Sequence, residues 1–203
     1  TDSRSLLKSI IKTLGLDDKK YKPATVHSII SMAKNQLITA DAYANDKAIW
    51  DRDRNMKLPA ISQIYTAYQA RCHQANAMDF DDLLVNTFRL FNDNADIRNK
   101  YAERFQYILV DEYQDTNFVQ VAIVKLLTAK HQRICVVGDD YQSIYSFRGA
   151  SIDNILDYQK KFDNVQVFKL ERNYRSTRKI VEAANSLMKH NARQIPKDVY
   201  SEE

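Results

Sequence analysis

Phe105-Gln106-Tyr107-Ile108-Leu109-Val110-Asp111-Glu112-Tyr113-Gln114-Asp115 is the stretch whose reading decides the fold. Its apolar run, Tyr107 to Val110, stops abruptly at paired carboxylates. A short β-branched and aliphatic run that ends at polar residues reads as a strand buried in a parallel sheet. Asp111 and Glu112 then stand at the carboxyl end of that strand, the edge of an open α/β sheet where ligands bind. Two adjacent acids there suit a metal–phosphate site, one carboxylate holding Mg²⁺ and the other deprotonating an attacking water. A strand end whose acids merely cap the next helix carries the same residues, so this string alone leaves both readings open.

Downstream, the pattern repeats. A helix is predicted over 117–129, then a second strand over 134–137 that ends at Gly138-Asp139-Asp140. A helix over 151–161 leads to a third strand over 165–170, which ends at Asn173-Tyr174-Arg175. A last helix starts at Ser176 as N-cap and carries Ile180, Val181, Ala184, Leu187 and Met188 on one face. Strands alternating with helices of this length imply βαβ units and a parallel sheet. Each strand delivers polar residues at its carboxyl end, so three clusters are expected to converge on one sheet edge.

Upstream, the text is different. The chain holds only 3 Gly and 3 Pro, and long helices should dominate. Leu6, Leu7, Ile10, Ile11 and Leu14 recur at helical spacing, with Gly15 as the stop. Val26, Ile29, Ile30, Ala33 and Leu37 follow Pro23, and Leu58, Ile61, Ile64, Tyr65 and Tyr68 make a third stripe. No strand is predicted before about Ala75, and these stripes read as core packing. At Met78-Asp79-Phe80-Asp81-Asp82-Leu83-Leu84 a new helix begins, with Asp79 as its N-cap and acids in its first turn.

The 203 residues are 44% hydrophobic and 28% charged, ordinary for a globular protein, and suffice for one sizeable domain or two small ones. A net charge of +4 is compatible with a nucleic-acid partner but equally with a slightly lysine-rich protein. Cys72 and Cys135 form no disulfide framework, so a reducing, cytoplasmic compartment is expected. No secretory leader or membrane-length apolar run occurs. The sequence opens on Thr1 in polar text and reads as a fragment of something longer.

Two further strings carry chemistry. In Val137-Gly138-Asp139-Asp140-Tyr141-Gln142-Ser143-Ile144-Tyr145-Ser146-Phe147-Arg148-Gly149-Ala150, Gln142 can both donate and accept, and so can sense a phosphate or a water. Tyr145 and Phe147 with Arg148 suit single-stranded nucleic acid, where bases stack and a guanidinium pairs with phosphate. Aromatics filling the core beneath a loop are the alternative. In Leu170-Glu171-Arg172-Asn173-Tyr174-Arg175-Ser176-Thr177, Arg175 precedes a helix N-terminus, where an anion is welcome, and Tyr174 can stack on a base. A surface arginine and a half-buried tyrosine would look the same.

Together, DEYQDTN, VGDDYQSIYSFRGA and LERNYRST resemble motifs II, III and IV of the UvrD/Rep family of superfamily 1 DNA helicases. MDFDDLL and AKNQL (Ala33–Leu37) are also similar to that family. The resemblance implies an α/β fold with an incomplete RecA-like parallel sheet and an all-helical inserted subdomain. It implies that residues 1–76 are that helical insertion, 77–172 the later part of the first RecA-like motor domain, and 173–203 the start of the second. It further implies an enzyme that uses ATP and Mg²⁺ to move along single-stranded DNA, within partly duplex DNA, in the 3′-to-5′ direction. By the same resemblance Asp111 binds Mg²⁺ and Glu112 is the catalytic base. Gln142 contacts the γ-phosphate and couples it to DNA, and Tyr145, Phe147 and Arg148 touch single-stranded DNA. Tyr174 stacks on adenine, and Arg175 is the arginine finger.

The sequence departs from the family's pattern at three points. Tyr141 and Ser146 stand where many relatives have Asp and Arg, and Phe147 where Trp is frequent. No GxxxxGK(S/T) loop occurs in the 203 residues, so the chain is expected to carry half an ATP site and to be inactive alone. A metal-dependent nuclease using Asp111, Glu112, Asp115, Asp139 and Asp140 is the competing enzyme reading. A DNA-binding scaffold is the non-enzymatic one.

Overall fold

The computed structural model describes residues 2–142, 152–162, 164–191 and 194–203. The chain divides into two compact units, Thr1–Phe105 with Asn117–Leu127, and Gln106–Thr116 with Thr128–Glu203.

The first unit is helical throughout: α1 (Asp2–Thr13), α2 (Pro23–Asn35), α3 (Ala40–Asn45), α4 (Lys47–Asn55), α5 (Ile61–Gln74), α6 (Phe80–Asp93), α7 (Ala95–Arg104) and most of α8 (Phe118–Thr128). Local chemistry sets the ends. After α1, Gly15 adopts φ +67°, and the Gly15 and Leu16 amides donate to the Lys12 and Ile11 carbonyls. That left-handed closure is the reason for a glycine. Pro23 stands in the first turn of α2, where its missing N–H costs nothing. Asp46 caps α4 through the Ala48 and Ile49 amides.

The three predicted stripes meet in one core. α1 packs on α2 and α5, and α3 packs on α5. Leu7, Ile11, Val26, Ile61 and Ile64 are sealed from solvent. Each such side chain contributes about 1.5–3 kcal/mol relative to exposure. Tyr43 and Tyr65 meet edge to face at 5.7 Å.

Asp79 caps α6 as expected, in a reciprocal capping box with Asp82. The acids do more than cap. Lys34 Nζ lies 2.7 Å from Asp79 Oδ2 and 2.7 Å from Asp82 Oδ1, and its side chain is 2% exposed. Tyr68 donates to Asp79 at 2.9 Å. Asn35 donates to Asp81 at 2.9 Å and accepts from Asn117 at 2.6 Å. AKNQL and MDFDDLL are therefore two halves of one buried polar network. Burial raises the Asp79 carboxyl, but the Lys34 hydrogen bond and charge outweigh it and hold the group below its ordinary value.

The second unit is built on two parallel strands, β1 (Ile108–Val110) and β2 (Ile134–Val136), in the register Ile108↔Ile134, Leu109↔Cys135 and Val110↔Val136. The pairing continues past the strand ends, with Val137 N–H to Val110 O at 2.8 Å and Tyr113 N–H to Val137 O at 2.9 Å. A 3₁₀ turn, Tyr113–Asp115, follows β1 and another, Asp140–Gln142, follows β2.

Three sequence expectations are corrected here. The segment 165–170 is no strand: Phe168 and Leu170 are 81% and 85% exposed, and no ladder forms along it among the described residues. A strand exists only through its neighbour's hydrogen bonds, and the pairing found in this region among the described residues is one parallel bridge, Arg172 to Tyr200. The helix predicted over 151–161 is broken at Asp157 into α9 (Asp153–Leu156) and α10 (Tyr158–Lys161). The last helix, α11 (Arg178–Met188), is preceded by Thr177 as N-cap rather than Ser176. Of its apolar stripe only Val181 is buried, while Ile180 and Leu187 are 60% and 74% exposed.

Candidate active site

The end of β1 places the first two acids. Asp111 is exposed, and its Oδ1 accepts the Glu112 amide at 2.9 Å. Glu112 adopts φ +49°, ψ +43°. A left-handed glutamate costs roughly 1–3 kcal/mol and persists only where its surroundings impose it. Leu37, Lys57 and Asn76 share that conformation, but each follows a helix C-terminus, where it closes the last turn. Glu112 instead links a strand end to a 3₁₀ turn.

That turn brings Gln114 back against Glu112. Gln114 is 1% exposed. Its Nε2 donates to Glu112 Oε2 at 2.7 Å, and its Oε1 accepts the Asp139 amide at 3.0 Å. A backbone N–H can only donate and a carboxylate only accepts, so the chemistry of the two partners fixes the orientation of the amide. Gly138 makes the approach feasible. A Cβ there would lie 2.7 Å from Gln114 Oε1 and 2.9 Å from Ile155 Cδ1.

Asp139 carries the connection onward. Its Oδ2 accepts from Gln142 Nε2 at 3.0 Å, and its Oδ1 accepts from the Tyr141 amide at 3.1 Å and Lys197 Nζ at 2.5 Å. Lys197 also reaches Asp140 Oδ1 at 2.7 Å and lies 3.9 Å from the centre of the Tyr141 ring. Asp140 Oδ2 accepts the Ile195 amide at 2.7 Å. Burial raises the Asp139 carboxyl, but Lys197 and Gln142 outweigh it and hold it below its ordinary value. Burial depresses the Lys197 ammonium, and the two aspartates more than restore it. Tyr113 anchors the turn from below, fully buried and edge to face with Tyr158 at 5.5 Å.

The structure thus joins Glu112 to Gln142 through Gln114 and Asp139. Tyr174 and Arg175 are both exposed and sit elsewhere on the same unit, on a turn in which Asn173 Oδ1 accepts the Arg175 and Ser176 amides at 2.9 and 2.8 Å. The Arg172 guanidinium lies 4.7 Å over the Tyr174 ring and pairs with Glu202. No hydrogen bond or ion pair links Arg175 to Asp111 or Glu112 among the described residues. Tyr145, Phe147 and Arg148 lie outside the described residues.

The acids of the nuclease reading do not converge. Asp139 and Asp140 share the Lys197 ammonium, and among the described residues no three acidic, histidine or cysteine side chains are grouped to hold a metal. One Mg²⁺ carried by a single carboxylate and phosphate oxygens makes a smaller demand. Asp111 meets it, since it is exposed at the strand end and its Oδ2 is unpaired among the described residues. A cleft of about 380 Å³ in the helical unit, lined by Lys34, Tyr65, His73 and Arg89 among others, contains none of the strand-end residues.

Gln114 and Lys197 were not singled out by sequence reasoning. Gln114 lies within the quoted string, yet nothing local distinguishes a buried glutamine from an exposed one. Gly138, one of only 3 glycines, was the available signal that something approaches the backbone closely there. Lys197 had no signal at all.

The family model for the UvrD/REP helicase N-terminal domain matches residues 1–163. The chain is 41% identical over 201 residues to the ATP-dependent DNA helicase PcrA of Leuconostoc citreum, covering 98% of this chain and 26% of that protein. It is 41% identical over 202 residues to PcrA of Bacillus subtilis, with 99% and 26% covered. It is 42% identical over 202 residues to PcrA of Staphylococcus aureus, with 99% and 27% covered. The chain therefore spans about a quarter of the length of these relatives.

Proposed function

This chain belongs to the UvrD/REP helicase family, and on that premise we propose that it is the part of an ATP-dependent DNA helicase that couples nucleotide hydrolysis to movement along single-stranded DNA. The observation that carries the reading is the hydrogen-bonded connection from Glu112 through Gln114 and Asp139 to Gln142. It ties the acids at the first strand end to the polar cluster at the second. Such a tie is what a motor needs if the hydrolytic site is to sense what the neighbouring segment holds.

In this reading Glu112 takes the proton of the attacking water, and its position is fixed through Oε2. Asp111 would hold Mg²⁺, which would supply charge neutralisation for the phosphates. Gln142 contacts the γ-phosphate. Tyr174 stacks on adenine, and Arg175 supplies the cationic finger. Tyr145, Phe147 and Arg148 bind single-stranded DNA by stacking and phosphate pairing. Residues 1–76 form the helical insertion, 77–172 the later part of the first motor domain, and 173–203 the start of the second. The phosphate-cradling loop that completes the site is supplied from outside these 203 residues, which contain no GxxxxGK(S/T).

Glu112→Gln in the full-length protein tests the reading. DNA-stimulated ATP turnover is expected to fall by roughly 10²–10⁴-fold with nucleotide binding retained. Parallel loss of binding would make Glu112 a structural residue. The 203-residue chain by itself is expected to show no steady-state ATP hydrolysis, and turnover abolished by the same substitution would overturn that expectation.

A further inference from the structure

We infer that Gln114 is a positioning residue of this motor, one that holds the Glu112 carboxylate and transmits the state of the Gln142 cluster to it; the inference rests on the function proposed above. Two facts set Gln114 apart from a residue that merely fills space. Its amide is nearly sealed from solvent, and both of its ends are used. One end meets a need of burial, since the Asp139 amide is satisfied at 3.0 Å. The other end satisfies the buried Nε2 of Gln114 but answers no such need in its partner. Glu112 is exposed, and water would satisfy its carboxylate without help. A bond of 2.7 Å from a buried donor to an exposed acceptor therefore satisfies Gln114 Nε2 and, at the Glu112 end, contributes orientation.

The geometry also explains the cost accepted around it. The left-handed backbone at Glu112 and the 3₁₀ turn at Tyr113–Asp115 fold the chain back so that Gln114 reaches a residue only two positions before it. Gly138 leaves open the space that Gln114 Oε1 occupies. Beyond Asp139, the joint to Gln142 is a single hydrogen bond of 3.0 Å. Any movement of Gln142 pulls on Asp139. Movement of the Asp139 backbone reaches Gln114 through the amide hydrogen bond. A shift of the general base by a fraction of its hydrogen-bond length is a rate effect, since roughly 10²-fold can be lost for a misplacement near 1 Å.

Two substitutions separate the two ends of the bridge. Gln114→Met keeps the volume and loses both hydrogen bonds. Gln114→Glu keeps an acceptor for the Asp139 amide and replaces the donor facing Glu112 with a carboxylate. Hydrogen exchange on the 203-residue chain reads the first end. The Asp139 amide is expected to exchange faster in Gln114→Met and to stay slow in Gln114→Glu, with the Val137 amide, which belongs to the strand ladder, unchanged in both. Steady-state ATP hydrolysis by the full-length protein reads the second end. Both variants are expected to lose roughly 10- to 100-fold in kcat with KM for ATP held within about two-fold. Equal acceleration of the Asp139 and Val137 amides would show a plain packing role and overturn the inference. So would normal kcat in Gln114→Met when Glu112→Gln is inactive. Full turnover in Glu112→Gln is a different failure: it overturns the functional reading itself.

Discussion

Lys34 and Asp79, 45 residues apart in the chain, meet at 2.7 Å with both side chains buried. Asp82 shares the same ammonium from one turn further along α6, at 2.7 Å. The pair fastens α2 to the start of α6, and Asn35, the next residue along α2, extends the same network to Asp81 and Asn117. An isolated ion pair in such a place is weak evidence for stability, because desolvation offsets attraction. Here the remaining lone pairs are used as well, by Tyr68 and by the Asp82 and Asp79 amides.

Breaking that pair on one side is expected to be costly. Lys34→Met leaves two carboxylates buried without their cation, and about 3–5 kcal/mol of stability should be lost. Denaturant unfolding followed by the fluorescence of Trp50, the sole tryptophan, measures it directly. A loss below about 1 kcal/mol would show that the network behaves as a solvated surface pair.

The Asp139–Lys197 pair should give the second unit a pH window. Burial raises Asp139, but Lys197 and Gln142 hold it below the ordinary 3.8. Burial lowers Lys197, but Asp139 and Asp140 lift it above the ordinary 10.5. A depressed carboxyl contributes stability above its ordinary value and loses it as pH falls through the depressed one. A raised ammonium contributes below its ordinary value and loses it as pH rises through the raised one. The pair thus contributes fully between 3.8 and 10.5. The stability difference between the unsubstituted chain and Lys197→Met should be flat across that window and shrink on both sides. A difference that grows toward acid would contradict the assignment.

Gly138→Ala should uncouple the site at small cost to the fold. The added Cβ meets the far ends of Gln114 and Ile155 at 2.7 and 2.9 Å, while the nearest backbone atom, Tyr113 N, stands at 3.3 Å. Side-chain ends yield before backbone does, so Gln114 is expected to leave the Asp139 amide. Faster exchange at that amide with a nearly unchanged unfolding midpoint is the expected pattern. A retained slow amide would mean that the turn can widen.

Tyr174→Ala should separate binding from stability. The ring is 74% exposed, and its removal should change stability by less than about 0.5 kcal/mol. If the ring stacks on adenine, nucleotide affinity of the full-length protein falls by about 0.5–1.5 kcal/mol. Titration with a fluorescent ATP analogue reads this, and unchanged affinity removes Tyr174 from the site.

Much of the architecture was legible because it is enforced within a few residues. The spacing of Leu7, Ile10 and Ile11 makes a helix with one buried face. Gly15 ends it through a positive φ, and Pro23 and Asp79 start the helices that follow them. The apolar runs ending at Asp111 and at Gly138 are the two strands that form, and the acids at their ends lie where such ends must lie. Capping and periodicity act over one or two turns, so these features need no distant partner to be specified.

What only the tertiary structure decided involves partners far along the chain. Residues 165–170 have strand composition, yet composition does not supply a neighbouring edge, and among the described residues the segment forms no ladder. Gln114 reads as one more polar turn residue until Asp139, 25 positions later, is brought to its Oε1. Lys197 looks like any surface lysine, yet it closes on Asp139 from 58 positions away. A hydrogen bond carries no trace in the local pattern of either partner when its geometry is set by how strands and helices pack between them. Strand ends and helix caps are therefore local properties, while the joints that connect Glu112 to Gln142 are properties of the folded chain.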